Sequence, residues 1–385
     1  MKKILVTSTD MMMMQFLVPH VKYLREQGYD VEVACSEVGA RFVEVQSVLG
    51  AETVHKVRLQ RNPLKPSNLK GLSDLKKIIN DGKYDLVWTN EPVMGVMTRL
   101  AAKKARKKGT KVLYMAHGFH FFKGAPKLNW CVYYPIEKMM AHYTDVIVTV
   151  NLEDYARAQK FKTQNVRYIH GIGINTERLQ SKNERVDLRN ELGVDKNAVI
   201  LLSVGELNDN KNQETALRAF AKVDDETLHY VLCGKGKNLE RLQALAIKLG
   251  VDKRTHFLGY RKDVVDICFQ SDIFIMPSKR EGLPVASLEA MYCGLPLITS
   301  NIRGLVDVME NGVSGYMHPY NDIVGFFASI KKLKDDIRLR KMMGINNREK
   351  VQLFCIDNTK EEIVSILNDI IVKQNDDEDK NCGSW

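Results

Sequence analysis

Short runs rich in Val, Ile and Leu alternate with longer amphipathic stretches from the start of this chain, and past its middle the alternation begins again. Repeated βαβ units write this pattern, because a strand buried on both faces of a parallel sheet is apolar throughout and its covering helix is apolar on one side. In the first half KKILVTS (2–8), DVEVACS (30–36), DLVWTN (85–90), KVLYMAH (111–117) and DVIVTVN (145–151) read as strands with helices between them. NAVILLSVGE (197–206) opens the second series, followed by LHYVLCG (228–234), THFLGY (255–260), DIFIMPS (272–278) and PLITS (296–300), with helices over 212–222 and 238–249. The expected class is α/β, two doubly wound domains facing across a cleft, with the boundary between about 165 and 190. Residues 1–170 form the first domain and 171–352 the second; 353–373 is a helix expected to pack back on the first, and 374–385, QNDDEDKNCGSW, a disordered tail.

A length of 385 residues suits two domains of that size. No run of eighteen apolar residues occurs, and Thr7, Ser8, Thr9 and Asp10 interrupt the first apolar stretch before it could act as a signal-peptide core. The expectation is a cytoplasmic protein. Its seven cysteines are scattered, with no CxxC and no zinc-type spacing, and read as small buried hydrophobes. The net charge of +10 resides in the first 150 residues, where 23 Lys and Arg face 13 Asp and Glu; the remaining 34 and 34 cancel. A basic half suits a phosphate-bearing lipid, a membrane surface or nucleic acid, although its densest cluster, KKARKKGTK (103–111), is equally explained by a helix C-terminal dipole. Nucleic acid is the weakest of these partners, since the basic half lacks aromatic-interleaved recognition motifs.

Ligands of parallel α/β sheets sit beyond the carboxyl ends of the strands, which ranks the residues there as candidates. In KREGLPVASLEAMYCGLP (279–296), Glu281 falls in a strand-to-helix loop and Glu289 about one and a half turns into the helix, which should begin near Pro284. A helix start with Gly282 beside it attracts anions, whereas carboxylates accept hydrogen bonds from hydroxyls. The pair therefore fits a ligand with both diphosphate and sugar parts, the alternative being a dipole partner and a solvated helical residue. In SVGELNDNKNQETALRAF (203–220) the strand ends at Gly205, and Lys211 precedes a helix that Asn212 could cap; such a lysine either reaches a diphosphate as a mobile charge or is simply solvated. VLCGKGKNLERLQ places Gly234 and Gly236 after a strand, a signal that a tight turn explains equally well. In MAHGFHFFKGAPKLNW (115–130), His117 ends a strand, and His120 among three phenylalanines reads as a packed loop anchor or a ligand contact. Strand ends carry no DxD-like acidic cluster, so no metal and no other cofactor is expected.

Together VGELNDNKN, CGKGKNLERL, HFLGYRKDV and SKREGLPVASLEAMYCGLPLITSNIRG resemble the donor domain of the family 4 retaining glycosyltransferases, with seven residues between their paired glutamates. AHGFHFFKGAPKLNWCVYYPIEKMMAHYTDVIVTVNLEDYARA is similar to the branch that builds bacterial capsular and extracellular polysaccharides, and the resemblance extends to about residue 370. It implies the GT-B fold of two Rossmann-like domains, a nucleotide-sugar donor in the second, an acceptor in the first, and metal-independent transfer with retention. On matching positions, Glu281 would bind donor-sugar hydroxyls and Glu289 ribose hydroxyls. The amides of Gly282, Leu283 and Val285 would meet the diphosphate, and Gly205, Glu206 and Gly234 would also belong to the donor site. Lys211 would neutralise the departing diphosphate, backbone near Tyr260 and Arg261 would hold the base, and His117 would approach the reaction centre.

Two departures stand out. Glu206 occupies a position where most of the family has arginine, which leaves Lys279 or Arg280 to compensate. TSTDMMMMQF replaces a glycine-rich loop after the first strand, so an acceptor-side role for Asp10 and Met14 competes with a buried helix start. The reading is a retaining transferase, peripheral at the inner face of the cell membrane, moving a sugar from a uridine-type nucleotide sugar to a polyprenyl-diphosphate-linked saccharide. The alternatives are a sugar-nucleotide epimerase of the same architecture and a non-catalytic nucleotide-sugar binding subunit.

Overall fold

The structure is a computed structural model that describes the backbone of residues 1–9, 11–37, 42–163, 165–180 and 187–382, and the side chains of all of these except 11, 12 and 372–382. The chain divides into two units, Met1–Ile172 with Asp357–Trp385, and Gly173–Ile356. The first stretch thus ends two residues beyond 170, and the second unit ends four residues beyond 352.

Seven strands build the first sheet: β1 (Lys3–Ser8), β2 (Asp30–Cys35), β3 (Val54–Lys56), β4 (Leu86–Asn90), β5 (Lys111–Ala116), β6 (Val146–Thr149) and β7 (Asn165–Tyr168). All pair in parallel, in the order β3-β2-β1-β4-β5-β6-β7. The second sheet uses β8 (Val199–Val204), β9 (Leu228–Cys233), β10 (Thr255–Gly259), β11 (Ile273–Met276), β12 (Leu297–Ser300) and β13 (Gly315–His318). It is likewise parallel, in the order β10-β9-β8-β11-β12-β13. In each sheet the order reverses beside the first strand, which makes both units doubly wound and Rossmann-like.

Alternation within the strands shows how the second sheet is covered. Ile200, Leu202, Phe274 and Met276 join one apolar cluster, whereas Leu201, Ile273 and Ile275 join another. Neighbouring residues point to opposite faces, so both faces must carry helices. Side-chain caps start several helices, with Asn151 accepting from the Asp154 amide, Asp322 from Gly325 and Asp336 from Leu339.

Ile174 pairs with Cys355 in an isolated bridge, so the chain enters and leaves the second unit at adjacent points. Beyond it the helix Ile356–Cys382 lies against the first unit, where Glu362 Oε1 is 2.7 Å from His170 Nδ1 and the Tyr29 hydroxyl donates to Asn368 Oδ1. That helix corrects the expected tail: it runs on past 374 because the segment has no Gly or Pro before residue 383 to stop it. No helix among the described residues is long and apolar enough to cross a membrane.

Candidate functional site

The sequence-predicted residues of the second unit follow the carboxyl ends of β8, β9, β10 and β11. After β8, the Gly205 amide donates to Cys233 O at 2.9 Å, and a Cβ placed on Gly234 would lie 1.9 Å from Gly205 O. A Cβ on Gly236 would meet Leu207 O at 2.3 Å. Both glycines of GKG therefore serve close backbone packing, which brings the β8 and β9 loops together.

The loop 208–212 is bound to the loop after β11. Asn208 Oδ1 accepts the amides of Asn210 and Lys211 at 3.0 and 2.9 Å. Asn210 Nδ2 donates to Arg280 O at 3.0 Å, and the Lys279 amide donates back to Asn210 O at 2.8 Å. Asn212 was expected to cap the helix that follows. It occupies the cap position in a left-handed conformation, φ 54°, but does not cap; its Nδ2 donates to Pro277 O at 3.0 Å and Tyr320 O at 2.8 Å.

These ties place Lys211 Nζ 2.8 Å from Glu281 Oε1, with the glutamate side chain 10% exposed and the lysine 23%. The lysine is thus a held charge rather than a mobile one. Beside Glu281, the amides of Gly282 and Leu283 have no protein acceptor among the described residues. The Val285 amide differs: it donates to Leu283 O at 3.1 Å, so it is engaged within the loop. Pro284 is the cap position of the helix Val285–Tyr292, and its carbonyl accepts from Ser287 and Leu288. Gly304 backs this loop, since a Cβ there would lie 2.1 Å from Gly282 O.

Glu289, on that helix, is half-buried, and its carboxylate has no hydrogen-bond partner among the described residues. Burial raises its carboxyl above the ordinary range, and Arg178 opposes the shift. Tyr260 is 68% exposed. The Arg261 guanidinium is taken by carboxylates, donating to Asp263 Oδ1 at 2.8 Å and Glu191 Oε2 at 3.1 Å. Glu206 is exposed and makes no ion pair among the described residues, while its carbonyl accepts from Gln213 Nε2 at 3.0 Å. Lys279 and Arg280 are exposed.

In the first unit, His117 follows β5, and its Nε2 lies 3.0 Å from Asn90 Oδ1. Asn90 Nδ2 donates to Thr7 O at 3.1 Å, which turns Oδ1 to the ring and assigns the proton to Nε2. Burial lowers the His117 pKa to about 4, so the ring is neutral. His120 stacks on Tyr133 with ring centres 4.7 Å apart and lines a cavity of about 280 Å³ with Thr9, Arg61, Glu91 and residues of the helices Pro92–Ala101 and Lys127–Met140. Met14 is fully buried, a packing residue of the helix Met11–Glu26 and not an acceptor contact. Asp10 lies outside the described residues.

Glu91 was missed. It sits just after β4 with φ 65°, a conformation that costs a non-glycine residue of order 1 kcal/mol or more. Its Oε2 accepts from the Thr9 amide at 2.7 Å and from Ser8 Oγ at 3.1 Å, fixing the loop after β1. The strand-end rule would have found it. Asn208, Asn210 and Gly304 carried no comparable signal.

The sequence matches the family described as "Glycosyl transferases group 1" over residues 184–350 and that described as "Glycosyl transferase 4-like" over residues 4–151. It is 36% identical over 375 residues to a Bacillus subtilis protein carrying the name glycosyltransferase EpsD, covering 95% of this chain and 96% of that one. It is 29% identical to the UDP-Gal:alpha-D-GlcNAc-diphosphoundecaprenol alpha-1,3-galactosyltransferase of Escherichia coli, covering 91% and 92%. The crystal structure of Anabaena Alr3699/HepE in complex with UDP has a TM-score of 0.80 over 96% of this chain and all of that one, at 18% identity, a likeness of fold. With one family match on each unit and a relative similar along nearly its whole length, the chain belongs to the group 1, family-4-like glycosyltransferases and has their GT-B fold of two Rossmann-like units.

Proposed function

We propose that the protein transfers a sugar, with retention and without a metal, from a uridine-diphosphate sugar to a lipid-diphosphate-linked saccharide in the making of a cell-surface polysaccharide. The observation that carries this reading is the Lys211–Glu281 pair beside the unengaged amides of Gly282 and Leu283. A diphosphate needs cationic and amide donors; sugar hydroxyls need acceptors. These groups lie side by side.

In this reading Gly282 and Leu283 donate to the diphosphate, while Glu281 accepts sugar hydroxyls. Lys211 then shares its charge between Glu281 and the phosphate, so fixed positive charge meets the negative charge that develops on the leaving group. The Glu289 carboxylate, half-buried and without a hydrogen-bond partner among the described residues, accepts the ribose hydroxyls. The backbone at Tyr260 and Arg261 meets the base, and Gly205, Glu206 and Gly234 contribute main chain. His117 is neutral and held by Asn90, which suits contact with the reacting sugar better than proton transfer. His120, Arg61 and Glu91 around their cavity are assigned to the acceptor. The name of the Escherichia coli relative, with its diphosphoundecaprenol acceptor, supports a lipid carrier.

The test is a screen of nucleotide sugars for protection against thermal unfolding, followed by incubation with the best donor in the presence and absence of a lipid-diphosphate saccharide. A ligand at a hundred times its dissociation constant adds about 2.7 kcal/mol of apparent stability. Transfer that requires the acceptor supports the proposal. A changed sugar with donor alone identifies an epimerase, and binding without either reaction identifies a binding subunit.

A further inference from the structure

The helix Lys127–Met140 of the first unit carries an apolar face that its own unit does not cover. Leu128 is 72% exposed, Met139 55% and Val132 42%, and Cys131 and Pro135 are exposed with them. At about 100° per residue these five fall within a sector of roughly 100°. They form one stripe. The opposite side of the helix is core: Met140 and Glu137 are buried, and Trp130 and Tyr134 pack on Phe121. Next to the stripe on one flank come Ile136 and Tyr133, which line the 280 Å³ cavity. On the other flank stand Lys127 and Lys138, both exposed.

The segment that carries the stripe is basic, although Asp145 pairs with Arg106 at the helix end and Glu153 with Arg157 near Trp130. Residues 103–140 contain nine Lys and Arg against a single acid, Glu137, which is buried and paired with Arg99. The KKARKKGTK cluster adjoins the end of this helix, because Lys103 Nζ lies 3.9 Å from the Tyr143 ring centre and Arg106 Nη1 donates to His142 O at 3.2 Å. Lys104, Lys107 and Lys108 are exposed.

We infer that this stripe is the face by which the protein docks on an anionic lipid bilayer, with the helix lying in the interface and the lysines at headgroup level. Apolar side chains on one side and exposed lysines at the margin are what an interfacial helix needs, and basic residues near such a surface add to binding. A second copy of this chain fits less well: a two-fold contact along the stripe would bring lysine margins against each other. The inference deepens the proposal of a lipid-borne acceptor and rests on it, since Ile136, next to the stripe on the same helix, lines the cavity assigned to that acceptor.

The experiment is flotation of the full chain with vesicles of phosphatidylcholine alone and of phosphatidylcholine mixed with phosphatidylglycerol. Binding should require phosphatidylglycerol and weaken as salt is added. A variant carrying Leu128→Glu, Val132→Glu and Met139→Glu should lose at least ~10-fold in vesicle binding. A variant carrying Lys104→Glu, Lys107→Glu and Lys108→Glu should lose a similar factor. Circular dichroism and the thermal shift given by uridine diphosphate should be unchanged in both. Vesicle binding that survives the stripe variant overturns the inference. So does a concentration-dependent dimer, seen by sedimentation, that the same variant abolishes while wild type ignores vesicles. Failure here leaves the transferase reading standing if uridine diphosphate still stabilises the wild type, whereas absence of that shift sinks the donor reading and leaves docking intact.

Discussion

Glu289 sets two demands against each other. Burial holds its carboxyl above the ordinary range, with Arg178 opposing. A raised pKa in the folded state means that the protonated form favours folding; that stability is present at low pH and lost as pH rises through the folded value. At neutral pH the ionised group therefore works against the fold. Glu289→Gln should leave the Tm at neutral pH unchanged or higher, while the KM for the donor rises about tenfold or more through loss of hydrogen bonds to a charged acceptor. Calorimetry and initial rates on one sample read both. The histidines behave oppositely. Burial lowers His117 and His20 to about 4, with His20 Nε2 donating to Ile172 O at 2.8 Å. A depressed histidine favours folding in its neutral form, so the stability it lends is present above about pH 6.5 and lost as pH falls through about 4. The Tm should decline across that window less steeply in His117→Gln than in wild type, and the rate should show no limb near 6.5 from His117. Lys211, Glu281 and Glu289 were legible in the sequence because they follow strands or open a helix. The tying roles of Asn210, Asn212 and Gly304 were not, because each acts on backbone far away along the chain, such as Arg280 O for Asn210 and Tyr320 O for Asn212, which the sequence offered only as a helix cap.

Strands with continuous apolar runs were legible in the sequence, and three of the four edge strands were not. β3 is VHK, β7 is NVRY and β13 is GYMH; each lies at an edge of its sheet, where one side is unpaired and no apolar run is demanded. The loops after β8 and β11 show how elements hold chemistry in place. Asn212→Ala removes three side-chain hydrogen bonds, two donated to Pro277 O and Tyr320 O and one accepted from Thr215 Oγ1, and should lower stability by about 1–3 kcal/mol. It should also slow transfer beyond what donor binding explains, because Lys211 is the next residue. Gly234→Ala is the harsher change, its Cβ meeting Gly205 O; denaturant unfolding should show a clear loss of stability, and an unchanged midpoint would contradict the packing described for the GKG segment.

Across the whole molecule, the most consequential link is the return of the chain to its first unit. Ile363, Ile366, Leu367, Ile370 and Ile371 are all buried on the helix Ile356–Cys382. At about 1.5–3 kcal/mol for each large side chain, their burial is on the order of 10 kcal/mol as an upper bound, comparable with the net stability of a domain. A chain ending at residue 356 should lose cooperative unfolding of the first unit, and an unchanged Tm would contradict this. The two doubly wound units were visible in the sequence from the restart of alternation at 197, but the continuation of the last helix past 374 was not, since its charged residues permit helix and tail alike.

The central claim is that Lys211 and Glu281 act as one unit in holding and discharging the donor, and it is tested most directly by single-turnover transfer rates of Glu281→Ala, Lys211→Ala and the double variant at saturating donor. Each single change should cost about 10²–10³ in rate, and the double variant should be no more than modestly slower than the worse single one. Wild-type rates in Glu281→Ala, or losses that simply multiply in the double variant, would contradict it.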